Sequence, residues 1–361
     1  MTEGRLKNKH NTAKKNLEDL LWDKLLKPFF FSFDPEYVHH LVVKLISFTK
    51  PILKFRKQFY SFNKNEQKKL ERNLFGIKFP NPVGLAAGFD KNAELIDQMS
   101  DLGFGFVEIG TVTPLAQEGN PKKRLFRLED DYSLINRLGF NNDGADKVVQ
   151  RLKKNKRIIV GGNIGKNKIT PNENAKHDYL TCLKKLYDYV DYFAINVSSP
   201  NTPNLRELQN TKKLEKILIP LLSENASRSK KPILIKISPD LNSSDIKNIV
   251  KLSLSLKLDG IICTNTTLKR DNLLSKESLT KQSGGLSGRP LNNRSNEVIR
   301  MVKKISNGKL PIIGVGGILK PSDAVEKLQA GASLVQVYTG FIYNGPSFAY
   351  KINNELLKTL N

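Results

Sequence analysis

Two stretches near the C-terminal end decide the fold: Pro311-Ile312-Ile313-Gly314-Val315-Gly316-Gly317-Ile318 and Leu334-Val335-Gln336-Val337-Tyr338-Thr339-Gly340. Each is a short apolar, β-branched run that ends in glycine or a hydroxyl residue, and the segment between them, 322–328, carries helical patterning. Working outward, the same unit recurs. Strand-like runs stand at 83–87, 106–110, 158–162, 193–197, 233–237, 260–264, 312–315 and 334–338, each followed by an amphipathic stretch such as 245–256. Runs that are apolar on both faces suit a parallel sheet covered by helices. Eight such units over roughly 280 residues match the ~250 typical of a closed (β/α)8 TIM barrel, whereas a doubly wound sheet would lead with a Gly-rich dinucleotide turn that is missing here. In a barrel the C-terminal ends of all strands share one mouth, so residues far apart in sequence meet there.

The glycines exclude two better-known motifs. Gly161-Gly162-Asn163-Ile164-Gly165-Lys166 is one residue too short for a Walker A loop, and Asn167 stands where Ser or Thr must hold magnesium. Gly314-Val315-Gly316-Gly317 lacks the third glycine of the dinucleotide fingerprint. What remains is a strand-seven end without side chains and a similar Tyr338-Thr339-Gly340 turn after strand eight, the two loops that form the usual phosphate site of barrels. Tight turns made only for packing would show the same glycines.

The other strand ends carry Lys91, Thr111, Asn163, Asn196, Lys236, Thr264 and Asn265, donors for a polar ring and an anion rather than ligands for a metal. The four histidines are at 10, 39, 40 and 177, none at a strand end, and Cys182 and Cys263 form no C-x-x-C pair. A zinc site, an iron–sulfur cluster and a Ser–His–Asp triad are therefore not expected. Some other group must remove a proton.

With 59 Lys and Arg against 35 Asp and Glu, the formal charge is +24, which attracts phosphates, acidic lipids or anionic metabolites. The lysines are scattered and no nucleic-acid motif appears, so no nucleic-acid partner is expected. No apolar run approaches the ~18 residues of a membrane span, and the N-terminus lacks the apolar core of a secretory signal. Leu17, Leu20, Leu21 and Leu25 form one helical stripe, and Val38, Leu41, Val42, Leu45 and Ile46 another, punctuated by Pro28, Asp34-Pro35 and Pro51. Up to Lys57 there are twelve Lys or Arg against six Asp or Glu, the composition of helices lying in an anionic lipid interface. A helical cap packed on the main domain would show the same pattern. The expected division is a disordered 1–16, an amphipathic helical segment 17–64 and a barrel 65–361.

Four segments on or between the strand ends then resemble one family. They are Ala86-Ala87-Gly88-Phe89-Asp90-Lys91, Asn136-Arg137-Leu138-Gly139-Phe140-Asn141-Asn142, Asn196-Val197-Ser198-Ser199-Pro200-Asn201-Thr202 and Gly284-Gly285-Leu286-Ser287-Gly288-Arg289-Pro290. Together, and in this order, they resemble the signature segments of FMN-dependent dihydroorotate dehydrogenases, with similarity running from Phe33-Asp34-Pro35-Glu36 to the last strand. Within that family the soluble enzymes resemble N-x-S-C-P-N and the quinone-linked, membrane-associated class 2 enzymes N-x-S-S-P-N; this chain has Ser199. The N-terminal segment also resembles that class, which moves the reading of 17–64 toward a lipid-facing quinone entrance.

The resemblance implies oxidation of dihydroorotate to orotate in pyrimidine synthesis, with FMN as hydride acceptor and a membrane quinone as final acceptor. It implies Ser199 as the catalytic base, with Thr202 as a candidate relay. FMN is implied to be held by Ala87, Gly88, Phe89, Asp90, Lys91, Thr111, Asn163, Asn196, Lys236, Thr264, Gly288, Gly317, Tyr338 and Thr339. Dihydroorotate is implied to be gripped by Lys91, Asn136, Arg137, Leu138, Gly139, Phe140, Asn196, Asn201, Asn265 and Thr266, and the quinone route to be lined by His39, Arg127 and Tyr338. The implied location is the cytoplasmic side of the inner membrane, peripherally bound to an anionic surface. Two rivals stay open: a soluble fumarate- or NAD-linked relative, and a basic phosphate- or RNA-binding barrel without flavin.

Overall fold

A computed structural model of the chain describes residues 17–154 and 158–359, so the disorder expected of residues 1–16 falls outside the described residues. Eight parallel strands close into a barrel: β1 (Val83–Leu85), β2 (Phe106–Val112), β3 (Ile159–Ile164), β4 (Tyr192–Asn196), β5 (Ile233–Ile237), β6 (Gly260–Cys263), β7 (Ile312–Val315) and β8 (Leu334–Val337). They pair in chain order, and β8 returns to β1 through Val335↔Val83 and Val337↔Leu85. This is the (β/α)8 barrel expected from the repeat, with strand limits shifted by one or two residues.

Period-two alternation places the site. Outward residues such as Val107, Ile109, Ile195, Ile235, Ile261 and Val335 join one core with the surrounding helices. Inward residues change character along the strands. Phe106, Tyr192, Leu234, Ile262, Ile313 and Leu334 fill the lower interior; two residues further on stand Glu108, Ala194, Lys236, Thr264, Val315 and Gln336. Glycines leave room for the large rings: a Cβ on Gly84 would lie 2.3 Å from Phe106 Cζ, and one on Gly161 2.1 Å from Tyr192 Cζ. A hairpin, Arg72–Leu74 with Ile77–Phe79, closes the lower end, with Phe79 edge-on to Phe106 at 5.2 Å. The lower interior of the barrel is thus a packed core.

Two additions flank the barrel mouth. Leu125–Leu128, Ser133–Asn136 and Gly285–Gly288 form a three-stranded antiparallel sheet outside the eight repeated units. The helix Pro35–Phe48 begins where Asp34 accepts hydrogen bonds from the Glu36 and Tyr37 N–H groups. Before it, the segment from Leu17 continues helically through a π turn, Trp22–Leu26, into Lys27–Phe31. Pro28 was expected to end that helix. It does not, because the wider π turn just ahead of it absorbs the break in register that a proline imposes.

These helices are anchored by polar contacts. Arg124 and Glu36 are both buried and meet at 2.7 Å, while Arg124 Nη1 donates to Glu118 O and Asn120 O. Trp22 Nε1 donates to Tyr343 O at 3.1 Å, and Asp19 joins Lys351 at 2.8 Å. Their outer side, together with the following helix Lys50–Lys57, carries exposed apolar side chains: Leu17, Leu20, Leu21, Leu25, Phe29, Phe33, Phe48, Ile52 and Phe55. Among the described residues no helix is long and apolar enough to cross a membrane.

Candidate active site

Polar strand ends converge on a cavity at the mouth with about 990 Å³ of space, counted to its open side. A β-bulge at the end of β2, where the register to β3 shifts between Ile109 and Val112, brings Thr111 to the wall. Its Oγ1 donates to Asn163 Oδ1 at 2.5 Å and accepts from Asn196 Nδ2 at 2.8 Å. Asn265 Nδ2 in turn donates to Asn196 Oδ1 at 3.2 Å and Ser198 Oγ at 3.0 Å. Each amide is therefore fixed by its neighbour before any ligand binds.

Ser199 lies on the loop after β4, 6% exposed, and its Oγ accepts from Asn201 N at 3.2 Å. Asn201 Nδ2 donates to Asn136 Oδ1 at 2.8 Å, tying this loop to the antiparallel sheet. Thr202 Oγ1 is buried without a partner, so the two hydroxyls are not hydrogen-bonded to each other. Lys91 reaches the same cavity, where burial pushes its ammonium down to about 8 against the pull of Glu36.

The structure brings together Ala87, Gly88, Lys91, Thr111, Asn136, Leu138, Gly139, Phe140, Asn196, Ser199, Asn201, Lys236, Thr264, Asn265, Thr266, Gly288, Gly317, Tyr338 and Thr339. Four expected residues do not line it. Asn163 sits one layer below, as the acceptor for Thr111. Asp90 is buried and turned inward, capping Glu94 N and Leu95 N, and burial raises its carboxyl to about 6. Arg137 faces the other way, onto Gln282 Oε1 at 2.9 Å, Lys123 O at 2.7 Å and the Phe126 ring. Phe89 belongs to a second, apolar cavity.

That second cavity, with about 1190 Å³ of space counted to its open side, runs between the N-terminal helices and the barrel. Trp22, Phe30, Phe31, Val38, Val42 and Leu45 face Leu125, Leu134, Phe341 and Ile342 across it, and its polar members are His39, Arg127 and Tyr338. Tyr338 lines both cavities and so separates them. Burial pushes His39 down to about 3, with Lys91 and His40 acting in the same sense, so its imidazole is neutral at physiological pH. Arg127 lies 4.6 Å over the Phe31 ring and donates to Phe33 O, while its Nη1 is buried without a partner.

The family model described as dihydroorotate dehydrogenase matches residues 69–360. A protein of Christiangramia forsetii named dihydroorotate dehydrogenase (quinone) is 51% identical over 339 residues, covering 94% of this chain and 99% of that protein. The chain belongs to the dihydroorotate dehydrogenase family. A second dihydroorotate dehydrogenase (quinone), from Idiomarina loihiensis, is 49% identical over 340 residues, covering 92% and 99%. The crystal structure of DHODH from Eimeria tenella in complex with ferulenol superimposes with a TM-score of 0.82 at 39% identity, over 90% of this chain and 91% of that one. Its ligand-free form gives 0.82 at 40% identity, over 91% and 95%.

Dihydroorotate dehydrogenases work with a flavin, and the mouth can accept one. Thr264 Oγ1 and Gln336 Oε1 are buried atoms on cavity-lining residues with no protein partner, as a polar ring edge requires. Gly88, at φ +100°, meets only Tyr338 where a Cβ would stand, at 3.4 Å, so its backbone is open to a ligand. Gly317 differs: a Cβ there would lie 2.3 Å from Asn292 Cα, so packing alone already demands glycine. Ligand approach and tight packing both account for glycines in such turns, and at position 317 packing suffices for the residue type.

The residues missed by sequence reading are Glu108 and Gln336 inside the barrel, Ser287 on the antiparallel sheet, and the Glu36–Arg124 bridge. Strand parity could have found the first two, since each lies an even number of residues from an inward aromatic or leucine on its own strand.

Proposed function

We propose that the chain oxidises dihydroorotate to orotate in pyrimidine synthesis and delivers the electrons to a membrane quinone, with FMN as the resident flavin. One observation carries this reading: a polar cavity holding Ser199 and a separate apolar cavity meet at Tyr338. Bound in the polar cavity, FMN supplies the hydride acceptor for C6 of dihydroorotate. The ring edge is held by Ala87, Gly88, Thr111, Asn196, Lys236 and Thr264, with Asn163 supporting from below, and the phosphate by Gly288, Gly317, Tyr338 and Thr339. Phe89 and Asp90 shape the same turn from behind.

Lys91 pairs with the substrate carboxylate, and Asn136, Asn201, Asn265 and Thr266 bond the ring amides, with Leu138, Gly139 and Phe140 closing the wall. Arg137 serves by holding that segment from outside. Ser199 takes the proton from C5. In the apolar cavity the buried Nη1 of Arg127 and the neutral imidazole of His39 meet the quinone oxygens. Residues 17–64 act as the access segment and 65–361 as the catalytic barrel. The exposed leucines and phenylalanines of 17–55 rest on an anionic membrane surface at the cytoplasmic side of the inner membrane.

The purified protein should be yellow, and anaerobic dihydroorotate should bleach its flavin absorbance, with colour restored by a water-soluble ubiquinone analogue. A colourless protein overturns the reading. Reoxidation by fumarate or NAD, but not by quinone, would select the soluble alternative.

The Lys91 shift gives a pH prediction. A lysine held at about 8 is charged below that pH and neutral above it, so its grip on a carboxylate is lost as pH rises past 8. KM for dihydroorotate should therefore climb from pH 8 to 10. Lys91→Arg, whose guanidinium stays charged, should give a flatter profile, and Lys91→Met should raise KM about 10- to 100-fold at pH 7, as expected for loss of a charge-assisted hydrogen bond. A wild-type KM that stays level across that range would remove Lys91 from the carboxylate site.

A further inference from the structure

Glu108 on β2 is fully buried inside the barrel, and the chemistry described so far gives it no task. Its Oε1 accepts from Asn163 Nδ2 at 2.8 Å and lies 3.5 Å from Lys236 Nζ. Its Oε2 accepts from Gln336 Nε2 at 2.8 Å and from the Tyr192 hydroxyl at 3.3 Å. Every neighbour presents a donor, the surroundings of an ionised carboxylate.

A barrel core does not need such a group. Apolar side chains of similar volume pack as well or better, and a buried charge persists only where it is paired. Room has nevertheless been made for it, because the Tyr192 ring reaches Glu108 across the place a Gly161 side chain would fill. Lys236 and Gln336 line the mouth cavity, whereas Glu108, in contact with both, does not. The carboxylate thus lies directly behind Lys236, one of the two lysines that line the cavity.

We propose that Glu108 is a positioning residue that fixes Lys236 and offsets part of its charge, and thereby holds down the reduction potential of the bound flavin. The inference rests on the placement of Lys236 beside the flavin given above. A cation at the ring favours the electron-rich reduced state, and an anion directly behind that cation opposes it; with little water between them, neither effect is screened away. The benefit is onward transfer: a flavin that is too easily reduced releases its electrons poorly to the quinone.

The test is the midpoint potential of the flavin in purified holoenzyme, measured by equilibration with a reference dye. Glu108→Gln keeps size and removes the charge, and should shift the oxidised-to-reduced equilibrium toward reduced by about tenfold, which is about 30 mV upward for a two-electron couple. Lys236→Met should move it downward, and the Glu108→Gln effect should shrink in the double variant. Tyr192→Phe, which withdraws one donor from the carboxylate without changing charge, should lower the potential and stands in where Glu108→Gln does not fold. If Lys236→Met leaves the potential in place, the placement of Lys236 is wrong. If Lys236→Met lowers it but neither Glu108→Gln nor Tyr192→Phe moves it, the role of Glu108 is overturned and the site reading stands.

Discussion

Replacing Ser199 by alanine is expected to slow flavin reduction by dihydroorotate by about 10²- to 10⁴-fold, the range a positioned general base supplies. The protein should remain yellow. Ser199 lines the cavity from the loop after β4, and the hydrogen bond its hydroxyl receives comes from Asn201 N, so removing one oxygen leaves the cofactor walls of β1, β2, β5 and β8 intact. Anaerobic stopped-flow reduction checks the rate, and a near wild-type value would refute the assignment.

A serine is a weak base, so its proton needs somewhere to go. Thr202 Oγ1 is buried and free of partners, which leaves it able to take part in a relay only through an intervening water. Ser199→Cys separates a base from a mere spacer. A thiol ionises far more readily than a serine, with an ordinary pKa of about 8.5, so a true base at this position should move the pH profile of reduction to lower pH. A spacer would leave the profile unchanged.

Much of this site was legible because a barrel gathers strand ends, and strand ends announce themselves by a change from β-branched to polar residues. Thr111, Asn196, Lys236, Thr264 and Tyr338 were found in that way. Arg137 shows the limit. It lies within a segment that does line the cavity, but its neighbours Asn136 and Leu138 face inward while it turns out to Gln282 and Lys123, an alternation visible only once Ser133–Asn136 is known to be a strand. Glu108 escaped for the opposite reason, because a single acidic residue inside an apolar run reads as an interruption until its partners, up to 228 positions away in the case of Gln336, are brought beside it. The π turn ahead of Pro28 left no sequence signal that local propensity can read.

Deleting residues 1–63 should abolish quinone reduction while leaving oxidation of dihydroorotate by a small soluble dye within a few-fold of normal. One wall of the apolar cavity is supplied by Trp22, Phe30, Phe31, Val38, Val42 and Leu45, the other by the barrel. Without the first wall a quinone loses roughly half of its apolar contact. Losing about 120 Å² of buried apolar surface costs about 3 kcal/mol, or about 100-fold in affinity, and the loss of His39 adds to this. The polar cavity is walled by residues on or just after β1, β2 and β4 to β8 and by the antiparallel sheet, which the deletion leaves in sequence, so the first half-reaction is spared. The exposed apolar side of these helices goes with them, and co-sedimentation with vesicles containing anionic lipid should fall in parallel. Because removal of the helices also bares Leu125, Leu134 and Phe341, Arg127→Met in the full chain is the complementary variant: it keeps the walls and removes the buried, unpartnered Nη1. Loss of quinone turnover in both proteins, with dye reduction retained, places the second half-reaction in this cavity; unchanged quinone turnover in the truncated protein would move it elsewhere.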